Sequence, residues 1–167
     1  CHLALKVVRH LRNEKKINVS VTDEICVALG TLCSFLGTGP FNQFFDFLMK
    51  SHNIEWNCKK ISYRAFVRRM VKKLKIDLNA YGCFNKQYQN ICDMIWTIDE
   101  KKRFFYEINS SLETVGVVLI DSVLRDSFYL GEKVDFNFDK YLASMHMVEN
   151  TEHVKRIGFD VKGLENI

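Results

Sequence analysis

The stretch 115-VGVVLI-120, Val115 to Ile120, decides the fold class. Its β-branched content suits a buried strand, and periodicity alone does not separate a short buried strand from a buried helix. The flanking residues tip the balance. Ser110 and Glu113 stand three apart as a capping box, and Leu112, Val115, Leu119 and Val123 recur at helical spacing. The segment is therefore read as a helix buried on most sides, with the strand as its alternative.

Working outward from it, helical periods dominate. Leu3, Val7, Val8 and Leu11 mark a first stripe, with Lys6, Arg9, Arg12 and Lys15 opposite. Ser20 and Asp23 open a second helix carrying Ile25, Leu29, Leu32 and Leu36, which Gly37, Gly39 and Pro40 close. Phe41, Phe44, Phe45, Leu48 and His52 share a face of a third. Ser62 is positioned to cap a fourth, and Phe84, Tyr88, Ile91 and Ile95, flanked by Cys92 and Trp96, mark a fifth. Asp99 starts a short sixth through Phe104, Phe105 and Ile108.

Downstream, "KVDFNFD" (133–139) alternates with period two, but one strand makes no sheet. It reads as an extended linker before a helix capped by Asp139. Asn150 is placed to cap a last short helix ended by Gly158.

The expected fold is all-α, a single domain of seven to nine helices over residues 1–158 with a C-terminal tail at 159–167. Helical hairpins would begin near residues 2, 40, 80 and 111. That spacing of roughly 40 residues matches HEAT-type two-helix repeats in period alone. A HEAT-like array and an irregular bundle both satisfy it, and no family signature is carried by the residues.

Composition narrows the class. The chain has 167 residues, 47% hydrophobic and 26% charged, which excludes disorder. Thirteen phenylalanines against one proline suit helices packed on aromatic rings. No run approaches the roughly 18 apolar residues of a membrane span. The chain starts at Cys1 without a methionine and reads as a piece of a larger protein. Six cysteines and the sequons at Asn18 and Asn109 would suit a secreted, disulfide-bonded protein. Cys26, Cys33 and Cys92 instead fall on apolar helix faces, where reduced cysteine behaves as a small hydrophobe. The expectation is a reduced, intracellular protein, cytoplasmic or nuclear.

Charge supplies the functional clue. Residues 1–78 hold 14 basic and 6 acidic side chains, and residues 79–167 hold 10 and 14. Within the first half, "RAFVRRMVKKLK" (64–75) contains six cations and no acid. At about 100° per residue, Tyr63, Phe66, Val67, Met70, Val71 and Leu74 fall on one arc. Lys60, Arg64, Arg68, Arg69, Lys72, Lys73 and Lys75 fall on the other. Like charges at i, i+4 repel by about 0.2–0.5 kcal/mol per pair, so a surface tuned for stability alone would intersperse acids. The seven cations are therefore the candidate binding residues. Their ligand would be an acidic protein surface or, alternatively, RNA or single-stranded nucleic acid; an anionic membrane ranks last, because the apolar arc belongs to the core.

Catalytic signatures are absent from the sequence. There is no HExxH or CxxC, and Gly37-Thr38-Gly39-Pro40 lacks the lysine and serine/threonine of a phosphate loop. His52, Cys58 and Cys83 are the least implausible metal set, and no metal or cofactor is assigned. The sequence alone thus points to a non-enzymatic helical interaction module of a larger intracellular protein, with an acidic partner and unassigned oligomeric state. A nucleic-acid-binding domain and a secreted cytokine-like protein are the alternatives.

Overall fold

The structure is a computed structural model that describes residues 1–13, 17–40, 43–83, 85–95, 105–109, 116–149, 151 and 155–160. It is mainly helical. The helices are α1 (His2–Asn13), α2 (Val21–Cys33), α3 (Gln43–Ser51), α4 (Cys58–Arg64), α5 (Asn85–Ile95), α6 (Phe105–Asn109), α7 (Val117–Leu130) and α8 (Phe138–Ser144). A π-helical segment (Ala65–Lys73) continues α4, and a 3₁₀ turn (Leu78–Tyr81) precedes α5. Two strands, β1 (Met145–Glu149) and β2 (Lys155–Phe159), form an antiparallel pair. The chain divides into two compact units, the first comprising Cys1 and Ser20–Ile98, the second His2–Val19 and Asp99–Ile167.

The first unit is built on α2 and α5. The capping box that opens α2 is complete: Ser20 Oγ accepts the Asp23 N–H, and the Asp23 carboxylate accepts the Ser20 N–H. Gly30 lets the two helices close up, because a Cβ there would lie 2.8 Å from Met94 Cβ. The core gathers Cys26, Cys33, Phe66, Leu78, Cys83, Ile91, Cys92 and Ile95. It differs from the expected α2 stripe. Leu32 and Leu36 are exposed, at 56% and 47%, while Cys26, Val27, Gly30 and Cys33 are buried. Burial follows the small residues because only they admit the close approach of α5.

Four sequence expectations in this unit are revised. Asn57, not Ser62, caps α4, accepting the Lys60 N–H at 2.9 Å. The segment from Ala65 is π-helical rather than α-helical, and the Leu74 N–H reaches Arg69 C=O five residues back. A wheel drawn at 100° per residue loses phase over such a stretch, so Leu74 leaves the apolar arc and is 66% exposed. Lys75 lies beyond the helix with φ +53°, in the left-handed region. On α3, Phe44, Leu48 and His52 are exposed instead of forming a core face, and Phe41 lies outside the described residues.

The second unit buries Ala4, Val7, Val8 and Leu11 of α1 with Ile108 of α6 and Val117 and Ile120 of α7. The stretch that decides the fold class is helical from Val117, with Gly116 as N-cap. The expected cap at Ser110 and Glu113 lies outside the described residues, as does Asp99. Asn137 caps α8 in place of Asp139, its side chain accepting the N–H groups of Asp139 and Lys140 at 3.0 Å. The expected terminal helix is replaced by β1 and β2, held by rings: Tyr141 of α8 lies 5.1 Å from Phe159 and 5.5 Å from Phe138. Lys6 Nζ sits 5.6 Å above the Phe138 ring. Asn150 and residues 161–167 lie outside the described residues. No helix among the described residues is long and apolar enough to cross a membrane.

Candidate functional site

The basic segment grows out of α4, and α4 in turn anchors the Ser34–Pro40 turn. Ser62 makes the joint. Its hydroxyl is wholly buried, accepts the Gly37 N–H at 2.7 Å and donates to Ser34 C=O at 3.0 Å. Gly37 is required by space: a Cβ would stand 2.2 Å from Cys58 C=O and 2.7 Å from Ser62 N. The turn is thus pressed against α4 through backbone contacts, and the glycine-rich stretch serves as a helix-to-helix turn.

Beyond this joint the cations emerge. Lys60 is half-buried, and Arg69, Lys72, Lys73 and Lys75 are exposed. The side chains of Arg64 and Arg68 lie outside the described residues. Among the described residues, no acid lies within ion-pair distance of Arg69, Lys72, Lys73 or Lys75. Their charge therefore faces water, with Leu74 exposed among them. The structure brings Arg69, Lys72 and Lys73 onto one continuous segment, and Lys75 follows after the chain turns. Within Ala65–Lys73 the backbone is π-helical, so positions four apart there no longer repeat on one line.

The core beneath this segment is chemically quiet. Cys33 donates to the Met70 sulfur at 3.7 Å, and Cys26 donates to Gln87 C=O at 3.6 Å. Burial pushes the thiols of Cys33 and Cys92 up to about 11, and raises that of Cys83. Burial, then the neighbouring Cys92, raises the Tyr88 phenol to about 12. Thiols held protonated in this way are poor nucleophiles and poor metal ligands. All six cysteines are free. His52, Cys58 and Cys83 do not form a ligand set, and no group of three His, Cys, Asp or Glu side chains converges among the described residues.

Two residues with structural authority escape sequence reasoning. One is Ser62, which reads as a helix cap and is instead the internal clamp. The other is Glu107 in the second unit, a buried carboxylate on α6. It accepts from Arg156 Nη1 at 2.7 Å and from the Ile157 N–H at 2.6 Å, tying β2 to α6. Nothing in "FYEIN" distinguishes it from a solvated helix acid; its partners lie some fifty residues on.

No family model matches the chain. It is similar to curated proteins named deoxynucleoside triphosphate triphosphohydrolase SAMHD1. Identity to the Gallus gallus protein is 25% over 177 residues, covering 92% of this chain and 29% of that protein. The Homo sapiens protein is 26% identical over 163 residues, covering 84% and 26%. The Mus musculus protein is 25% identical over 176 residues, covering 92% and 27%. The chain spans less than a third of the length of these relatives. This similarity overturns the expectation of a non-enzymatic interaction module and points to an enzyme-related domain in its place.

Proposed function

We propose that this chain is part of a hydrolase that acts on deoxynucleoside triphosphates, and that its basic segment contacts the triphosphate. The observation that carries the reading is the similarity to triphosphohydrolases across 84–92% of the chain. The basic segment is the natural place for the anion. Arg69, Lys72, Lys73 and Lys75 are exposed and face no acid among the described residues. Lys60, Arg64 and Arg68 belong to the same set by their position on α4 and the π segment.

Physically, a triphosphate suits such a surface. Arginine offers a planar fork of N–H donors to phosphate oxygens, and lysine offers a mobile point charge. Neither demands a shaped pocket for a first contact. Ser62 and Gly37 hold α4 against the Ser34–Pro40 turn, so the segment is presented from a fixed base.

The test is binding of a deoxynucleoside triphosphate by isothermal titration at low and physiological salt, with inorganic triphosphate as competitor. Binding should weaken with salt, yield to competition, and fall at least about tenfold when Arg69, Lys72 and Lys73 are replaced by glutamate. Release of inorganic triphosphate from the nucleotide supports the hydrolase reading directly. Absence of binding at low salt refutes the role given to the basic segment.

A further inference from the structure

We propose that Cys26 and Cys83 are an oxidation site: under a peroxide their thiols join as a reversible disulfide that ties the turn before α5 to α2. The backbone brings them together. Gly82 ends the 3₁₀ turn Leu78–Tyr81 in the left-handed region, at φ +74°. It is packed against α2, where a Cβ on it would stand 3.2 Å from Thr22 Oγ1. Cys83 is the next residue in the chain, and Cys26 lies one helical turn beyond Thr22 on the same face of α2. The two thiols are hydrogen-bonded to one another. Both residues are 2% exposed and belong to the core of the first unit.

The partners of the other buried thiols single this pair out. Cys33 donates to the Met70 sulfur at 3.7 Å, and Cys92 shares a hydrogen bond with the Tyr88 hydroxyl. A thioether and a phenol form no disulfide; a second thiol does. The Cys26 sulfur further approaches Gln87 C=O at 3.6 Å and the Cys83 sulfur Tyr81 C=O at 3.9 Å, so both are held in position. Burial raises the Cys83 thiol, and the hydrogen bond with Cys26 opposes that shift. To bond, the sulfurs must close from hydrogen-bond contact to about 2.05 Å. Cys83 stands outside any helix and follows a glycine, so its backbone can supply the movement.

The step balances with hydrogen peroxide as the oxidant. The Cys83 thiolate takes one peroxide oxygen, the O–O bond breaks, and the other oxygen leaves as water with the thiol proton. The Cys26 sulfur then attacks the resulting sulfenic acid, the S–O bond breaks, and a second water leaves with the Cys26 proton. Two electrons pass from the two sulfurs to the peroxide. The first step is slow, because a buried, protonated thiol must wait for the turn to open. That turn is the exposed part of the joint, with Tyr81 63% exposed and Asn79 and Ala80 exposed beside it. The second step is fast, because its partner is already in contact. The product closes a loop containing α3, α4 and the basic segment, which restricts the unfolded chain. This inference stands apart from the proposed hydrolase function and draws on none of its residues.

The experiment treats the native chain with hydrogen peroxide, alkylates the remaining thiols in denaturant, and maps the unreduced peptides by mass spectrometry. The expected product is a Cys26–Cys83 disulfide, formed more slowly than the modification of exposed Cys1 and reversed by dithiothreitol. Oxidation should shift the unfolding equilibrium toward the folded state by at least about tenfold in a urea titration, and Cys83→Ser should abolish that shift. Recovery of Cys26 and Cys83 as thiols, or as separate oxidised acids, once Cys1 is fully modified overturns the proposal. So does a mixture of pairings no different from that formed in denaturing urea, because the native fold then selects no pair. A disulfide that leaves the urea midpoint unchanged refutes the tie between the turn and α2. The wild-type peptide map decides the matter even if Cys83→Ser fails to fold.

Discussion

Replacing Ser62 with alanine should cost the first unit about 2–3 kcal/mol. The hydroxyl has no exposure, accepts the Gly37 N–H at 2.7 Å and donates to Ser34 C=O at 3.0 Å. Its removal orphans a buried N–H, which costs about 1–3 kcal/mol, and deletes a second bond worth about 0.5–1.5 kcal/mol. Solvent cannot repair the loss cheaply. A water needs at least about 10–15 Å³ and several polar partners. The space beside Gly37 is filled by Cys58 C=O, Ser62 N and Ile61 Cβ at 2.2, 2.7 and 2.9 Å from where a Cβ would lie. At about 1.4 kcal/mol per decade, the unfolding equilibrium shifts roughly 30- to 150-fold. Urea unfolding followed by Trp56 fluorescence measures it, since that ring packs edge-on against Phe45, 5.0 Å away, in the same unit. Thr31→Val is the control. Thr31 Oγ1 is buried but donates at 2.7 Å to Val27 C=O within its own helix, and its loss leaves no donor unmet. If Ser62→Ala costs no more than Thr31→Val, the clamp is not structural and the reasoning fails.

Glu107→Gln should destabilise the second unit by about 1.5–3 kcal/mol, the range for hydrogen bonds to a charged group, with the ion-pair share reduced because Arg156 is partly exposed. Faster exchange of the Ile157 amide reports it, and unchanged exchange refutes the clamp on β2. Alkaline pH should also destabilise the fold. Cys33 and Cys92 are raised by burial from 9.0 to about 11, so below about pH 9 both states are protonated and stability is unaffected. Between about 9 and 11 the unfolded chain loses these protons first, and the urea midpoint should fall as pH rises. A flat midpoint across that window contradicts the burial of these thiols. In the native protein, a thiol reagent should modify exposed Cys1 long before Cys33 or Cys92.

How much was legible in the sequence follows from the range of the interaction involved. The Ser20–Asp23 capping box spans three residues, so the start of α2 is written locally. The helical reading of Val117–Ile120 agrees with the structure, although the helix starts at a Gly116 N-cap and the Ser110–Glu113 box lies outside the described residues. The hairpin was misread because its stability comes from elsewhere. Tyr141 packs on Phe159, and Glu107 accepts from Arg156 and Ile157, contacts no local pattern announces. Of the candidate site, the cations were legible as residues. Their presentation was not, since the π segment changes which positions share a face. The enzyme relationship became visible only by comparison with whole proteins, at about 25% identity over most of the chain.

By itself, the sequence determined that this is a mainly helical protein with an acid-free basic segment and with Cys26, Cys33 and Cys92 on apolar helix faces. Those properties arise from composition, caps and periods of a few residues, and they hold whatever the chain packs against. Only tertiary structure decided which face of α2 is buried, what Ser62 does, and where the chain abandons helices for a hairpin. Each depends on a partner distant in sequence: Met94 against Gly30, Gly37 against Ser62, Glu107 against Ile157. Such contacts form only once the intervening chain has closed, and their energies then override local preference.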